Sequence, residues 1–201
     1  GLIDHDLKPE TVALVVKQLI SLPTETINAR FGLPDTEHGL AVSVMGEISL
    51  GLTGLGFIYT CKDSLSLGIG VDLDVLDNHH VRPYDLLQNF LKHPQIAPLV
   101  AGGQMLEYGG HLIPEGGYSQ MPKLYGDGVL VAGDAAAMVN ALHWEGTNMA
   151  IIAGKIAGEA AVAAHKRKDF TAGTLKVYQD KLEDSFILKD LRQYKNFSRF
   201  L

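Results

Sequence analysis

Gly133-Asp134-Ala135-Ala136 and Glu145-Gly146-Thr147-Asn148 are the residues whose types and spacing best suit holding a ligand. Gly133 has no Cβ, so a ligand can come close to its backbone. Asp134, followed on the same turn by Ala135, offers an ionised acceptor to a polyol hydroxyl. Twelve residues after Asp134, the run Gly146, Thr147, Asn148 opens a helix. The free N–H groups and dipole at such a start favour an acceptor or a partial anion.

Elements of predictable type must position these residues. Val129-Leu130-Val131-Ala132 is a short, continuously apolar run after the turn Gly126-Asp127-Gly128, the pattern of a strand buried on both faces. In open α/β sheets ligands bind outside the carboxyl ends of such strands, where Gly133 and Asp134 stand. After Asn148 the chain is rich in Ala and Gly up to residue 161, which permits a helix to pack closely on a sheet. A strand, a Gly-Asp turn and a helix also occur in many proteins with no cofactor there. The combination with the Gly-Thr-Asn start is what makes the signal specific.

Upstream, residues 12–22 are apolar and β-branched and end at Pro23, the pattern of a strand. Thr24 is expected to cap a short helix to Arg30, stopped by Gly32 and Pro34. Strands are expected over 41–45, 56–61 and 65–73, the last two joined by Lys62-Asp63-Ser64. Residues 83–100 read as an amphipathic helix with Leu86, Leu87, Phe90 and Leu91 on one stripe, broken near Pro94 and Pro98. Residues 104–113 return as a strand. The expected class is α+β, with antiparallel strands and a helix beside a second region.

Composition excludes several classes. Apolar residues make up 46% and charged residues 20%, a soluble globular balance, and a net charge of -6 argues against a nucleic-acid binder. His165-Lys166-Arg167-Lys168 is read as a solvated helix end, where cations suit the dipole. No apolar run is long enough to cross a bilayer, and no signal peptide is visible. Cys61 is the only cysteine, so an internal disulfide and a cysteine-ligated cluster are excluded, and a reducing, cytoplasmic setting fits. Asp72, Asp74, Asp77, His79 and His80 offer metal ligands. The calcium-loop template, however, wants Gly where this chain has Asp77, and a polar strand-to-helix connection suffices. Trp144 can either cover a planar ligand or simply pack, and Glu145 would influence the electrostatics there. His111 reads as a satisfied buried histidine. Over 180–201, Phe186, Ile187, Leu191, Tyr194 and Phe197 recur at helical spacing, suiting packing against the protein ahead of peripheral membrane contact. The chain opens on Gly1 in mid-pattern and is read as a piece of a longer protein, although a removed Met would look the same.

The run 126–161 resembles the second FAD-binding motif of glutathione-reductase-type flavoproteins. More narrowly it is similar to FixC and the electron transfer flavoprotein–quinone oxidoreductases. Three further stretches carry that narrower resemblance: Gly54-Leu55-Gly56-Phe57-Ile58-Tyr59, His93-Pro94-Gln95-Ile96-Ala97-Pro98-Leu99 with Gly102-Gly103, and Pro114-Glu115-Gly116-Gly117-Tyr118 leading to Met121-Pro122-Lys123-Leu124. The resemblance implies FAD as cofactor. Gly133, Asp134 and Ala135 would lie at its ribityl–phosphate part, and Gly146, Thr147 and Asn148 at the flavin ring, whose reduced form is negative at its N1–C2=O edge. It also implies a quinone domain before Gly117, with Gly54 and Gly56 in its glycine-rich strand. Mitochondrial-type relatives have two adjacent glycines there, whereas here Leu55 separates them.

The resemblance divides the chain into 1–118 (substrate or quinone domain), 119–165 (C-terminal segment of the FAD-binding domain) and 166–201 (helical segment). The family's opening fingerprint, Gly-x-Gly-x-x-Gly, is absent: Gly51-Leu52-Thr53-Gly54-Leu55-Gly56 lies between β-rich segments. The chain is therefore expected to bind FAD weakly or not at all by itself. The 4Fe–4S cluster of mitochondrial-type relatives cannot form on one cysteine, which favours the FixC branch with a separate ferredoxin-like protein, or a cluster domain outside this chain. Implied partners are electron transfer flavoprotein, a ferredoxin-like protein and quinone, at the inner face of the membrane. A geranylgeranyl-reductase-like or hydroxylase-like flavoenzyme and a non-catalytic docking module stay open. No residue is singled out as a catalytic acid or base, because redox chemistry belongs to the cofactor.

Overall fold

A computed structural model describes residues 8–195. The chain divides into two compact units, one of residues 13–113 and one of residues 1–12 with 114–201.

The first unit is an antiparallel sheet with helices. Its elements are β1 (Val12–Ser21), α1 (Thr24–Phe31), β2 (Ala41–Val44), β3 (Gly54–Thr60), β4 (Ser64–Asp72), α2 (Leu73–His79), α3 (Pro83–Lys92), α4 (Ala97–Val100) and β5 (Gln104–Pro114). The strand order is β2-β3-β4-β1-β5. The register sets Val16 opposite Ile69 and Ile20 opposite Leu65, and Ile58 opposite Leu67. Because side chains alternate along a strand, these residues share one face. With Ile27, Leu76, Leu86, Leu87, Phe90 and Ile96 of the helical segments they form a continuous core. The α+β expectation holds, with a five-stranded sheet.

Single dihedrals and bonds decide the local detail. Thr24 is the first residue of α1 rather than its cap: Pro23 holds the cap position and no side chain closes the helix start. Gly32 ends α1 in the left-handed region at φ 65°, where a missing Cβ removes the steric penalty. The stretch 83–100, expected as an amphipathic helix broken near Pro94 and Pro98, is two helices. α3 ends at Lys92, and Pro98 lies in the first turn of α4, where the lack of an N–H costs nothing. The connection between β3 and β4 is closed by the Cys61 N–H donating to the Ser64 carbonyl at 2.8 Å.

The second unit contains β6 (Tyr125–Gly126), β7 (Val129–Leu130), α5 (Thr147–Arg167), α6 (Ala172–Leu175), α7 (Val177–Asp184) and α8 (Phe186–Gln193). Here the expectation of a buried four-residue strand is corrected. The ladder is only the pair β6–β7, with Tyr125 opposite Leu130 and Gly126 opposite Val129, and Val129 is 37% exposed. No third strand joins this pair among the described residues, and Leu130, Val131 and Ala132 are partly buried against the core of this unit. Among the described residues of this unit, the small-residue helix packs on other helices. α5 buries Met149, Ala153, Ala160 and Ala164 in a core with Tyr178, Leu182, Ile187, Leu188 and Leu191. Gly154 and Gly158 face open space.

The basic cluster does end a helix: His165, Lys166 and Arg167 form the last turn of α5, and Lys168 caps it at φ 52°. The segment from residue 180 is interrupted at Ser185, whose hydroxyl accepts from the Ile187 N–H and starts α8. Ile187, Leu188 and Leu191 are buried there, while Phe186 is exposed. Phe197 lies outside the described residues. No helix among the described residues is long and apolar enough to cross a membrane.

Candidate functional site

Within the second unit, Gly133, Asp134 and Ala135 form a single 3-10 turn, Gly133–Ala136, directly after β7 and the linker Val131-Ala132. Gly133 sits at φ 65°, and a Cβ there would lie 3.3 Å from the Ala150 Cβ on the first turns of α5. Glycine thus serves two local needs, a left-handed backbone and a close helix approach. The turn is tied internally by the Ala137 N–H donating to the Asp134 carbonyl and the Met138 N–H to the Gly133 carbonyl. Asp134 and Ala135 are exposed while Gly133 and Ala136 are buried. The carboxylate is therefore offered outward from a rigid base.

Gly146, Thr147 and Asn148 are brought to the same place. Gly146 is the cap of α5, and the position its Cβ would take is 3.8 Å from Asp134 Oδ1. The two motifs meet there despite the residues between them. Thr147 and Asn148 are exposed, and their N–H groups stand at the helix start, where no preceding turn supplies carbonyls. The Asn148 side chain is engaged locally, Nδ2 donating to Glu145 Oε2 at 3.1 Å and Oδ1 accepting from the Met149 N–H at 2.8 Å. A carboxylate, exposed backbone donors and a glycine-lined approach are thus gathered on one surface. That set suits a ligand with hydroxyl donors at one end and a partial negative charge at the other.

The loop between the motifs is closed on itself. Asn140 and Glu145 form an antiparallel bridge, and the Asn140 side chain accepts from the Leu142 and His143 N–H groups. Trp144 is held at φ 52° and is 50% exposed. Its indole is not buried in a core of this chain and stands next to the helix start.

One supporting residue escaped the sequence reading. Tyr178 on α7 is fully buried, and its hydroxyl donates to the Val131 carbonyl at 2.9 Å. This anchors the backbone two residues before Gly133. Burial pushes the Tyr178 phenol up to about 12. The signal available was only an aromatic in an amphipathic segment. The turn between β6 and β7 is tied to the far side of the unit, with Asp127 Oδ1 accepting from the Ala172 N–H at 2.7 Å and the Gly128 N–H donating to the Phe170 carbonyl at 2.8 Å.

Gly54 and Gly56 lie elsewhere, on β3 in the first unit. A Cβ at Gly56 would sit 2.7 Å from Ile48 Cδ1 and 3.0 Å from the Phe90 ring, and one at Gly54 would sit 2.7 Å from Val71 Cγ2. Close packing therefore accounts for glycine at both positions. Two further glycines, Gly68 and Gly70 on β4, make room in the same way for Phe57 and Val15.

His111 is a correction: it is exposed on β5 rather than buried, because β5 is the outermost strand of its sheet. Asp72, Asp74, Asp77, His79 and His80 span the end of β4 and α2. Among the described residues no three His, Cys, Asp or Glu side chains are placed to share a metal ion. Burial first, and the charge of Asp74 second, raise the Asp72 carboxyl. Cys61 is exposed and unpaired.

The family described as "ETF-QO, ubiquinone-binding" matches residues 34–113. The FixC protein of Azorhizobium caulinodans is 47% identical over 195 residues, covering 96% of this chain and 45% of that protein. The FixC protein of Escherichia coli K12 is 41% identical over 197 residues, covering 97% and 46%. The chain thus spans about half the length of the curated relatives it matches. Among solved structures, a geranylgeranyl bacteriochlorophyll reductase-like protein from Thermoplasma acidophilum superimposes with a TM-score of 0.69 at 16% identity, over 96% of this chain and 44% of that one. The flavin-dependent brominase Bmp2 does so at 0.58 and 16%, over 85% and 40%. These two likenesses establish a shared fold. Along nearly its whole length the chain is 41–48% identical to FixC proteins, so it matches about half of a FixC-type protein.

Proposed function

We propose that this chain is part of an FAD-dependent oxidoreductase that takes electrons from an electron transfer flavoprotein and passes them to a quinone or a ferredoxin-like acceptor. The observation that carries the reading is the meeting of Asp134 with the Gly146 cap of α5. The residues fit the cofactor. Gly133 lets the turn and α5 come together, Asp134 would accept from a ribityl hydroxyl, and the N–H groups of Thr147 and Asn148 would hold the flavin edge that gains negative charge.

FAD supplies the electron-carrying chemistry when bound. The chain's own part is to bind and orient it. Asp134 would hold the polyol through a charge-assisted hydrogen bond. The helix dipole of α5 stabilises negative charge at its start, which favours the reduced state of whatever flavin edge rests there. Tyr178 holds the Val131 carbonyl and so the Gly133 turn. Trp144 is available to cover a planar ring. The quinone part of the reading is supported by the family match over residues 34–113 and draws on the first unit. Gly54 and Gly56 would act there by letting Val71 of the next strand and Phe90 of α3 pack closely on β3.

The test is made on the complete protein that carries this chain. Asp134→Ala and Gly146→Val are expected to lower the FAD content on purification and to lower quinone reduction with reduced electron transfer flavoprotein in proportion. Full flavin occupancy in both variants would sink the placement of the cofactor. Normal flavin occupancy in the unaltered protein, with transfer to a prenyl substrate but none to quinone, would replace the acceptor with that of a geranylgeranyl-reductase-like enzyme.

A further inference from the structure

We propose that Asp190, on α8, is a positioning residue for the loop that delivers Trp144 and Gly146 to the start of α5. Asn140, which opens that loop, is 2% exposed, so every polar group on its side chain needs a partner. Its Nδ2 donates to Asp190 Oδ2 at 2.5 Å. Its Oδ1 accepts from the Leu142 N–H at 3.0 Å and the His143 N–H at 3.3 Å. An amide side chain is nearly symmetric in shape, so partners alone decide which end points where. The carboxylate accepts and cannot donate, and it therefore commits the NH2 end of Asn140 to α8. The oxygen is left facing the two loop N–H groups. Turned over, the amide would set NH2 against two donors and its oxygen against a carboxylate.

The loop depends on that choice. Asn140 also closes it through backbone bonds with Glu145, at 2.8 and 3.2 Å. Closure holds Trp144 in the left-handed region, which a bulky side chain avoids unless its surroundings require it. A second contact reaches the same helix end, where the His143 ring meets Tyr194 edge-on with centroids 5.0 Å apart. The segment after α7 thus orients a loop fifty residues earlier.

The experiment uses a charge-pattern swap in the 201-residue chain. Trp144 is its only tryptophan, so the near-ultraviolet circular dichroism of indole reports on this loop. Asn140→Asp keeps the acceptor for Leu142 and His143 but sets two carboxylates together, and is expected to abolish the indole band. Adding Asp190→Asn restores a donor–acceptor pair of reversed sense and is expected to recover the band. Far-ultraviolet spectra of the same samples show whether each variant is folded. If the single variant unfolds, recovery of both spectra by the swap still supports the proposal. A band unchanged in Asn140→Asp, or a folded swap without the band, overturns it. The consequence for cofactor affinity rests on the flavin reading. In the complete protein, a band that follows the pair while FAD affinity stays equal in all variants would sink that reading and leave the positioning role standing.

Discussion

Tyr178→Phe isolates one hydrogen bond that supports the candidate site. The substitution removes one oxygen from a fully buried ring and leaves the Val131 carbonyl without the donor that reaches it at 2.9 Å. Ring volume is kept, so no cavity opens, and the cost at neutral pH is about 1–3 kcal/mol for a stranded polar group. The pH dependence is more discriminating. Burial raises the Tyr178 phenol from 10.0 to about 12, so the folded chain keeps a proton that the unfolded chain releases. The stabilisation is complete below the unfolded value and is lost as pH climbs toward the folded one. From about pH 9 to about pH 11 that loss comes to roughly 1.4 kcal/mol. Phenylalanine has nothing to titrate, and the other tyrosines and lysines change alike in both proteins. The stability gap between wild type and Tyr178→Phe is therefore expected to narrow by that amount over this range. Urea unfolding followed by Trp144 fluorescence measures it, since Trp144 and Tyr178 share one compact unit. A gap that stays constant or widens up to about pH 11 would refute the reasoning.

Gly133→Ala forces a side chain onto a left-handed backbone and sets its Cβ 3.3 Å from that of Ala150. A loss of about 1–2 kcal/mol in urea unfolding is expected. Gly146→Ala is the contrasting case: its φ is -145° and the nearest atoms would be 3.5 Å away. Its stability should stay near wild type, so weakened FAD retention in the complete protein would reflect the site alone. Gly56→Ala crowds Ile48 and Phe90 and is expected to cost about 1–3 kcal/mol by overpacking. Unchanged stability with impaired quinone use would show a ligand role there instead. The 201-residue chain by itself is expected to carry little or no flavin; a stoichiometric yellow chromophore after purification would contradict that.

Features set by neighbouring residues were legible in the sequence alone. The β-branched stretch before Pro23 is a strand, Gly32 ends a helix, Pro83 starts one, and Gly146 caps the helix that Thr147 begins. Each follows from a local dihedral preference or the hydrophobic period, which a chain expresses without knowing its fold. The spacing from Gly133 to Asn148, joined to the family resemblance, likewise marked the candidate site before any coordinates.

Tertiary structure decided what depends on partners distant in sequence. That Asp134 comes to rest against Gly146 requires the intervening loop to close, and Asn140 achieves this through Asp190 on α8. Tyr178 reads as one more apolar position until α7 places its hydroxyl on Val131. Gly56 reads as one glycine of a glycine-rich strand, and only the fold shows that Phe90, from a separate helix, fills the space where its Cβ would be. The apolar run at 129–132 resembles a fully buried strand because apolar residues record what a strand can bury against. What covers a strand depends on its neighbours, and here the structure supplies only β6 beside it.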